Sequence, residues 1–402
     1  MSIPAMAHTL PGGFAAAFPD RVGERPRLFF SPGRVNLIGE HTDYNGGAVF
    51  PCAIQLGTYG AVLPRPDGAV RLESQGFSPG FVLDINDLAH DPTHGWANYP
   101  KAVAQLLLHA GHKLGGFDLY ICSDLPGGAG LSSSASVNML VAQALCGLFG
   151  PDLSPLDKVL LCQRAENEIL GVNCGIMDPF AIGMAREGHG MMLHCASMEY
   201  TQVPLALGEY ALVMGNTHKA RTLADSKYNQ RRAECEAALA DLQTVHPHAT
   251  ALCHITVEQF KAHQHVIKDE TARRRAQHAI YEHARTHLAV MQLQSGSAMG
   301  MGMLMNDSHI SLRDLYEVTG PELDALVQAA WDFGAQHSGP GPAAFSRMTG
   351  AGFGGCTISL VRQDAVDAFI QQVGTAYTAA TGLVADFYPV QPGAGARELG
   401  AS

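Results

Sequence analysis

Charge is scarce in this chain of 402 residues: Asp, Glu, Lys and Arg together make up 16%, against roughly 25% in soluble domains. What charge there is leans acidic, 37 Asp+Glu against 26 Lys+Arg, for a formal net charge of -11. That balance argues against a nucleic-acid groove or an anionic membrane surface as the main partner. No apolar run reaches the roughly 18 residues of a membrane span. The opening MSIPAMAHTLPGGFAAAFPD has neither a basic n-region nor a continuous apolar h-region, so no signal peptide is expected. The nine cysteines are scattered from Cys52 to Cys356 without a CxxC pair. A disulfide framework or zinc knuckle is not expected; reduced thiols in a cytoplasmic protein are.

Glycine is abundant instead, 44 of 402, or about 11% against a usual 7%. With 47% hydrophobic residues there is material for more than one core, and beyond roughly 250–300 residues two domains are the default. Low charge with high glycine points to compact packing of helices and strands, with loops built from backbone. Much of the glycine sits in three islands, 31–47, 126–136 and 349–356. Before the second island, Phe117, Leu119 and Ile121 alternate with Asp118, Tyr120 and Cys122, the period of a half-buried strand. After it, SVNMLVAQALCGLF has helix composition, so the unit reads strand, glycine loop, helix. Ser154-Pro155-Leu156-Asp157 reads as an N-cap, an N1 proline and an acidic first turn, with Gly171 closing the helix. Residues 228–291 are helical in composition, and the strand-like GEYALVMGN places a domain boundary near 205, giving units 1–205 and 206–402.

The second island puts Gly127, Gly128 and Gly130 before Leu131-Ser132-Ser133-Ser134 at the mouth of the predicted helix. A helix N-terminus carries unpaired N–H groups and a partial positive charge, so it attracts anions. Glycines let amides approach phosphate oxygens, and serines add donors and a possible Mg²⁺ ligand; the alternative is a turn with a serine N-cap. No GxxxxGK[ST] occurs, so this is not a Walker loop. Gly350-Ala351-Gly352-Phe353-Gly354-Gly355 satisfies GxGxxG, but a strand follows it where a dinucleotide site requires a helix. Asp332-Phe333-Gly334 lies inside a helical pattern and is a chance match to a kinase motif.

In the first island Glu40, His41 and Asp43 stand within four residues. Such carboxylates suit a polyhydroxylated ligand, although D-Y-N-G-G is also an ordinary turn sequence. Glu166 shares an apolar stripe with Val159, Cys162 and Ile169 on a helix expected over 156–170. Asp178, in GIMDP, is a second carboxylate in apolar surroundings. Loop, serine, two acids and Arg34 together fit phosphoryl transfer, which needs positioning and charge neutralisation. Eight of the 19 histidines lie between 246 and 287, without HExxH or a third ligand at recognisable spacing, so a metal site there is not expected.

GRVNLIGEHTDYNGG over 33–47 resembles the galactokinase signature, PGGAGLSSSAS the second motif of the GHMP small-molecule kinases, and RMTGAGFGGC their third. GVNCGIMD, ADSKYNQRRAECE and SHISLRDLYEVTGPELD extend the similarity from about residue 28 to the C-terminus. The resemblance implies an α+β fold with a ribosomal-S5-like N-terminal domain, a ferredoxin-like C-terminal domain and the active site in the cleft between them. It implies transfer of the γ-phosphoryl group of ATP to the anomeric hydroxyl of α-D-galactose, with Mg²⁺, in a cytoplasmic enzyme taken as a monomer. On that reading Asp178 is the general base, and Arg34 keeps it ionised and stabilises the transferring group. Glu40, His41, Asp43, Gly175 and Tyr228 would bind galactose. Gly128, Ala129, Gly130, Leu131, Ser132, Ser133 and Ser134 would wrap the triphosphate, Ser134 and Glu166 would take Mg²⁺, and Trp96 would lie near adenine. Asn138 and His218 depart from the residues common in the family. Two rivals stay open: an N-acetylgalactosamine or arabinose kinase, which the Thr42 of EHTDY disfavours, and a non-catalytic galactose- and ATP-binding regulator, which the complete serine run disfavours.

Overall fold

The computed structural model describes residues 5–400 apart from 129, 173, 220–223, 338 and 340. Its first sheet has six strands in the order β13-β1-β3-β6-β4-β5. These are β1 (Arg27–Asn36), β3 (Pro51–Arg65), β4 (Ala69–Ser74), β5 (Phe77–Asp84), β6 (Gly116–Ser123) and β13 (Arg397–Leu399). One face is covered by α2 (Asn98–His109), α3 (Ser133–Phe149), α4 (Pro155–Arg164) and α5 (Met177–Gly183) over a core that includes Phe117, Leu119, Leu140 and Phe180. The other face carries α1 (Ala5–Ala17), whose Leu10 and Phe14 pack on Tyr59 and Cys122.

That second layer corrects the half-buried reading of 117–122. Asp118 is fully buried, ringed by Arg21, Arg65 and Arg71. Alternation in sequence shows that two faces differ in polarity, not that one of them is wet; here α1 and three guanidiniums cover the polar face. β13 was equally invisible: Leu28 pairs with Leu399 and Phe30 with Arg397, so the end of the chain returns to the first sheet.

A small sheet of β2 (Ala48–Val49), β7 (His189–His194) and β8 (Glu199–Pro204) follows, in that order. A four-stranded sheet in the order β10-β11-β9-β12 builds the second half from β9 (Tyr210–Asn216), β10 (Ala344–Thr349), β11 (Cys356–Arg362) and β12 (Asp386–Val390). α10 (Pro321–Gln336) and α11 (Val366–Thr381) cover one side of it, through Leu326, Phe333 and Phe369. α6 (Ala224–Leu242), α7 (Val257–His263), α8 (Glu270–Gln294) and α9 (Ala298–Ser311) complete the half as the helical composition indicated. Each fully buried large apolar side chain contributes roughly 1.5–3 kcal/mol.

The helix starting at Ser154 has the expected capping box, Ser154 Oγ accepting from the Asp157 amide at 3.1 Å. Its far end differs from expectation. The α-helix stops at Arg164 and passes into a π-helix, Ala165–Ile169, in which the Leu170 amide bonds to the Ala165 carbonyl at 3.1 Å. Such wide turns cluster at functional sites, and this one carries Glu166.

Candidate active site

β1 ends at Asn36 and the chain reaches β2 through a loop containing the short turn Asp43–Asn45. Two features fix the loop's shape. Gly39 has φ +98°, and a Cβ there would meet the Ala48 carbonyl oxygen at 2.7 Å, so only glycine fits. The Thr42 hydroxyl lies 2.8 Å from the Gly39 carbonyl and 2.7 Å from that of Ala48. The buried Glu40 accepts from the Gly350 amide at 2.7 Å and faces the Arg347 guanidinium at 3.3 Å. A residue of the first island is thereby clamped by the third, 310 positions away.

His41 is buried with φ +62°. Burial, with the neighbouring His278 adding, pushes its pKa down to about 3, so the ring is neutral. Its Nε2–H donates to the Ala351 carbonyl at 3.2 Å, and Nδ1 accepts from Tyr44 at 2.8 Å. The Tyr44 hydroxyl continues to Tyr316 at 2.7 Å. Both ring nitrogens therefore already have protein partners. For Asp43, burial, then the charges of Asp178 and Glu40, raise its pKa to about 6. Gly175 is the surface it rests on, since a Cβ there would lie 2.0 Å from Asp43 Oδ2. Tyr228 on α6 packs its ring 5.8 Å from that of His41 and 5.3 Å from that of Tyr44.

Asp178 falls in the first turn of α5, one residue before Pro179. Arg34 grips it as a fork, Nε to Oδ1 at 2.8 Å and Nη2 to Oδ2 at 3.0 Å, and turns its remaining Nη1 to the Gly130 carbonyl at 2.7 Å. Such bidentate pairs fix orientation as well as charge. Ser132 donates its hydroxyl to Asp178 Oδ2. It precedes α3 at φ +59° and makes no side-chain capping bond. The turn with a serine N-cap is therefore not what is built: the hydroxyl goes to the acid, leaving the first amides of α3 uncapped by it.

Glu166 is buried and accepts from Asn138 Nδ2 at 3.0 Å. Burial raises its pKa and the Asp178 charge adds to the rise, while hydrogen bonds from Cys174, Ser134 and Asn138 act against it. Among the described residues no ion pair reaches Glu166; its partners are hydrogen-bond donors. No group of three or more His, Cys, Asp or Glu among the described residues is arranged to hold a metal alone; a Mg²⁺ shared with phosphate oxygens would need only one or two protein ligands.

Arg34, Glu40, His41, Asp43, Glu166, Asp178 and Tyr228 line one cavity of about 740 Å³, together with Gly128, Gly130, Leu131 and the serines 132–134. Ala129 lies outside the described residues. Trp96 does not line the cavity; its ring packs near Phe77 and Phe81. The second half contributes Asn216, His218, Lys219 and Asn229, which sequence reasoning had not assigned, except that His218 was noted as a departure. His218 Nε2 lies 2.7 Å from Asp386, and Asn138, the other departure, faces Glu166. Arg347 was also missed, although the arginine opening the RMTGAGFGGC motif was a signal for it.

Comparison with known proteins decides the family. A bacterial galactokinase from Bacillus subtilis (strain 168) is 49% identical over 397 residues, 98% of this chain and 99% of that protein. The chain belongs to the galactokinase family. Family models agree: the galactokinase galactose-binding signature matches residues 16–64, the GHMP kinases N terminal domain 98–186, and the GHMP kinases C terminal domain 289–379. The crystal structure of Lactococcus lactis galactokinase complexed with galactose superposes with a TM-score of 0.92 at 41% identity, covering 98% of this chain and all of that one. Methanococcus jannaschii mevalonate kinase shares the fold alone, with a TM-score of 0.64 at 19% identity over 92% of this chain and 99% of that one. The α+β two-domain GHMP architecture expected of a galactokinase is the one present. No helix among the described residues is long and apolar enough to cross a membrane.

Proposed function

We propose that this chain phosphorylates α-D-galactose at its anomeric hydroxyl, using ATP and releasing ADP and α-D-galactose 1-phosphate. The observation that carries the reading is the single carboxylate of Asp178, held by Arg34 on one side and by Ser132 of the glycine loop on the other. Phosphoryl transfer asks for in-line positioning and for neutralisation of charge on the transferring group, with little covalent work from the protein. Asp178 takes the C1 hydroxyl proton on Oδ1, which keeps one lone pair beyond that used by Arg34, whereas Oδ2 is taken up by Arg34 and Ser132. Arg34 fixes the plane of that carboxylate and brings a positive charge next to where the phosphoryl group passes. Because Ser132 belongs to the phosphate loop and touches the base, a shift of the loop is felt at Asp178.

Glu40 and Asp43 accept hydrogen bonds from sugar hydroxyls, while Gly175 and Tyr228 shape the wall around them. His41, with both nitrogens engaged by protein, acts through the fixed position of its ring. The amides of 128–134 and the N-terminus of α3 bind the triphosphate. Mg²⁺, when bound, would neutralise charge on the phosphates, and Ser134 and Glu166 would hold it. Cys52, Cys146 and Cys162, buried thiols, suit the reducing cytoplasm, where we place the enzyme.

A coupled ADP-release assay with galactose, N-acetylgalactosamine, arabinose and glucose tests the reading. Turnover is expected with galactose well above the other three. Preference for N-acetylgalactosamine or arabinose would reassign the substrate, and binding of ATP and galactose without ADP release would make the protein a regulator.

A further inference from the structure

No residue of α8 lines the cavity, yet several of its side chains turn to the backbone of loop 39–48. Glu282 is completely buried. Its Oε1 accepts from the Gly39 amide at 3.0 Å and from the Ser308 hydroxyl at 2.6 Å, and Oε2 pairs with Arg285. His278, also completely buried, lies four residues earlier on the same helix face. Its Nε2 is 3.1 Å from the Glu40 carbonyl and its Nδ1 2.8 Å from the Ser311 hydroxyl. At the far end of the loop, His283 Nδ1 accepts from the Ala48 amide at 3.0 Å.

A buried carboxylate is costly, and an apolar side chain of similar volume would often serve stability as well or better. What Glu282 supplies that an apolar residue lacks is a fixed acceptor for one amide, at a glycine whose φ of +98° admits no other residue comfortably. Together with His278 it holds the backbone on both sides of the Glu40 α-carbon, while Gly350 and Arg347 hold one oxygen of the Glu40 side chain. We propose that Glu282 and His278 are positioning residues for Glu40, so that α8 of the C-terminal half sets galactose affinity without touching the sugar. The proposal rests on the reading of Glu40 as a sugar contact.

The test measures KM for galactose and for ATP, with kcat, on the full-length enzyme. The variants are Glu282→Ala, Glu282→Gln, Glu40→Gln and the double variant Glu282→Ala/Glu40→Gln. Glu282→Ala is expected to raise the galactose KM about tenfold, the loss of one charge-assisted hydrogen bond, with the ATP KM within about twofold. Glu282→Gln keeps an acceptor for Gly39 and recovers most of the loss. The double variant is no worse in galactose KM than Glu40→Gln alone, because both act at the same carboxylate. An unchanged galactose KM in Glu282→Ala, an equal rise for ATP, or multiplied effects in the double variant overturns the proposal. If Glu282→Ala does not fold, His278→Leu, which removes the donor to the Glu40 carbonyl, is held to the same split. Glu40→Gln with an unaltered galactose KM would refute the sugar contact itself. An effect in Glu40→Gln without one in Glu282→Ala or His278→Leu would refute only the positioning role.

Discussion

Gly175→Ala is the smallest substitution that should damage galactose recognition while sparing the fold. A Cβ at 175 would sit 2.0 Å from Asp43 Oδ2 and 3.0 Å from Asp43 Cγ. Non-bonded carbon and oxygen atoms do not approach closer than about 3.0–3.4 Å, so the carboxylate must withdraw by more than about 1 Å. Gly175 is not among the glycines with positive φ, and alanine is free to adopt its backbone. Replacing glycine at such a position reduces the freedom of the unfolded chain and can add about 0.4–1 kcal/mol of stability, which offsets part of the local clash. The expected signature is a split: melting temperature little altered, galactose affinity lowered.

The size of the loss follows from the sugar contact proposed for Asp43. A hydrogen bond to a charged group contributes about 1.5–3 kcal/mol, or roughly 10- to 100-fold in affinity. A displaced carboxylate keeps part of that, so about a tenfold rise in galactose KM and Kd is expected, with the ATP KM unchanged. Isothermal titration with galactose, beside the coupled kinetic assay and a thermal melt, reads all three quantities. Asp43→Ala provides the control, because Gly175→Ala in that background has nothing left to displace and should cost nothing further. Galactose affinity within twofold of the parent in Gly175→Ala would refute the claim that the glycine exists to seat Asp43.

Other consequences are as direct. Asp178→Asn should abolish turnover while leaving galactose binding largely intact; turnover at a near-normal rate would remove Asp178 from the proton transfer. Glu166→Ala should raise the Mg²⁺ concentration needed for half-maximal activity, and an unchanged Mg²⁺ titration would count against metal ligation there. Asp43 makes a pH prediction whose two halves oppose each other. Burial first, then Asp178 and Glu40, raise its pKa from the ordinary 3.8 to about 6, so galactose affinity should fall as pH drops from 7 to 5 and the carboxylate gains a proton. A raised carboxyl pKa means that the folded state binds the proton more readily than the unfolded chain, so between about 6 and 3.8 this group adds stability as pH falls. Asp43→Asn should therefore flatten the affinity profile and remove that gain, and a parent-like profile in the variant would place the titration elsewhere.

The glycine islands and the acids beside them were legible in the sequence because their chemistry is local. Three serines after three glycines exceed what a turn requires, and Glu40, His41 and Asp43 fall within one loop. What could not be read were the partners that only folding supplies. The sequence groups Ser132 with its neighbours for phosphate, but its hydroxyl donates to Asp178, 46 residues away. Glu40 meets Gly350 and Arg347 across 310 and 307 positions, and β13 meets β1 across the whole chain. Composition and periodicity carry no term for such pairings. The π-helix at 165–169 was missed because its residues also satisfy an ordinary helical stripe, and the burial of Asp118 because alternation says nothing about what covers the second face.

The distribution of charge in the cleft gives the acidic composition a mechanical meaning. Among the described residues Glu40, Asp43, Glu166 and Asp178 line the cavity, against Arg34 and Lys219. Arg34 is already forked onto Asp178, and Lys219 Nζ lies 2.6 Å from Glu322. Neither cation is therefore available as a dedicated phosphate ligand without giving up a partner. On the function proposed above, the described residues leave the positive field for a triphosphate mainly to the amides of 128 and 130–134, to the start of α3 and to a divalent cation. Amides contribute without adding charge that would pair with the sugar-side acids, which leaves Glu40 and Asp43 able to accept from hydroxyls. On that reading the glycine that brings those amides close and the carboxylates proposed to recognise the sugar depend on one another: more lysine in the loop would bind phosphate at the cost of the acids across the cleft.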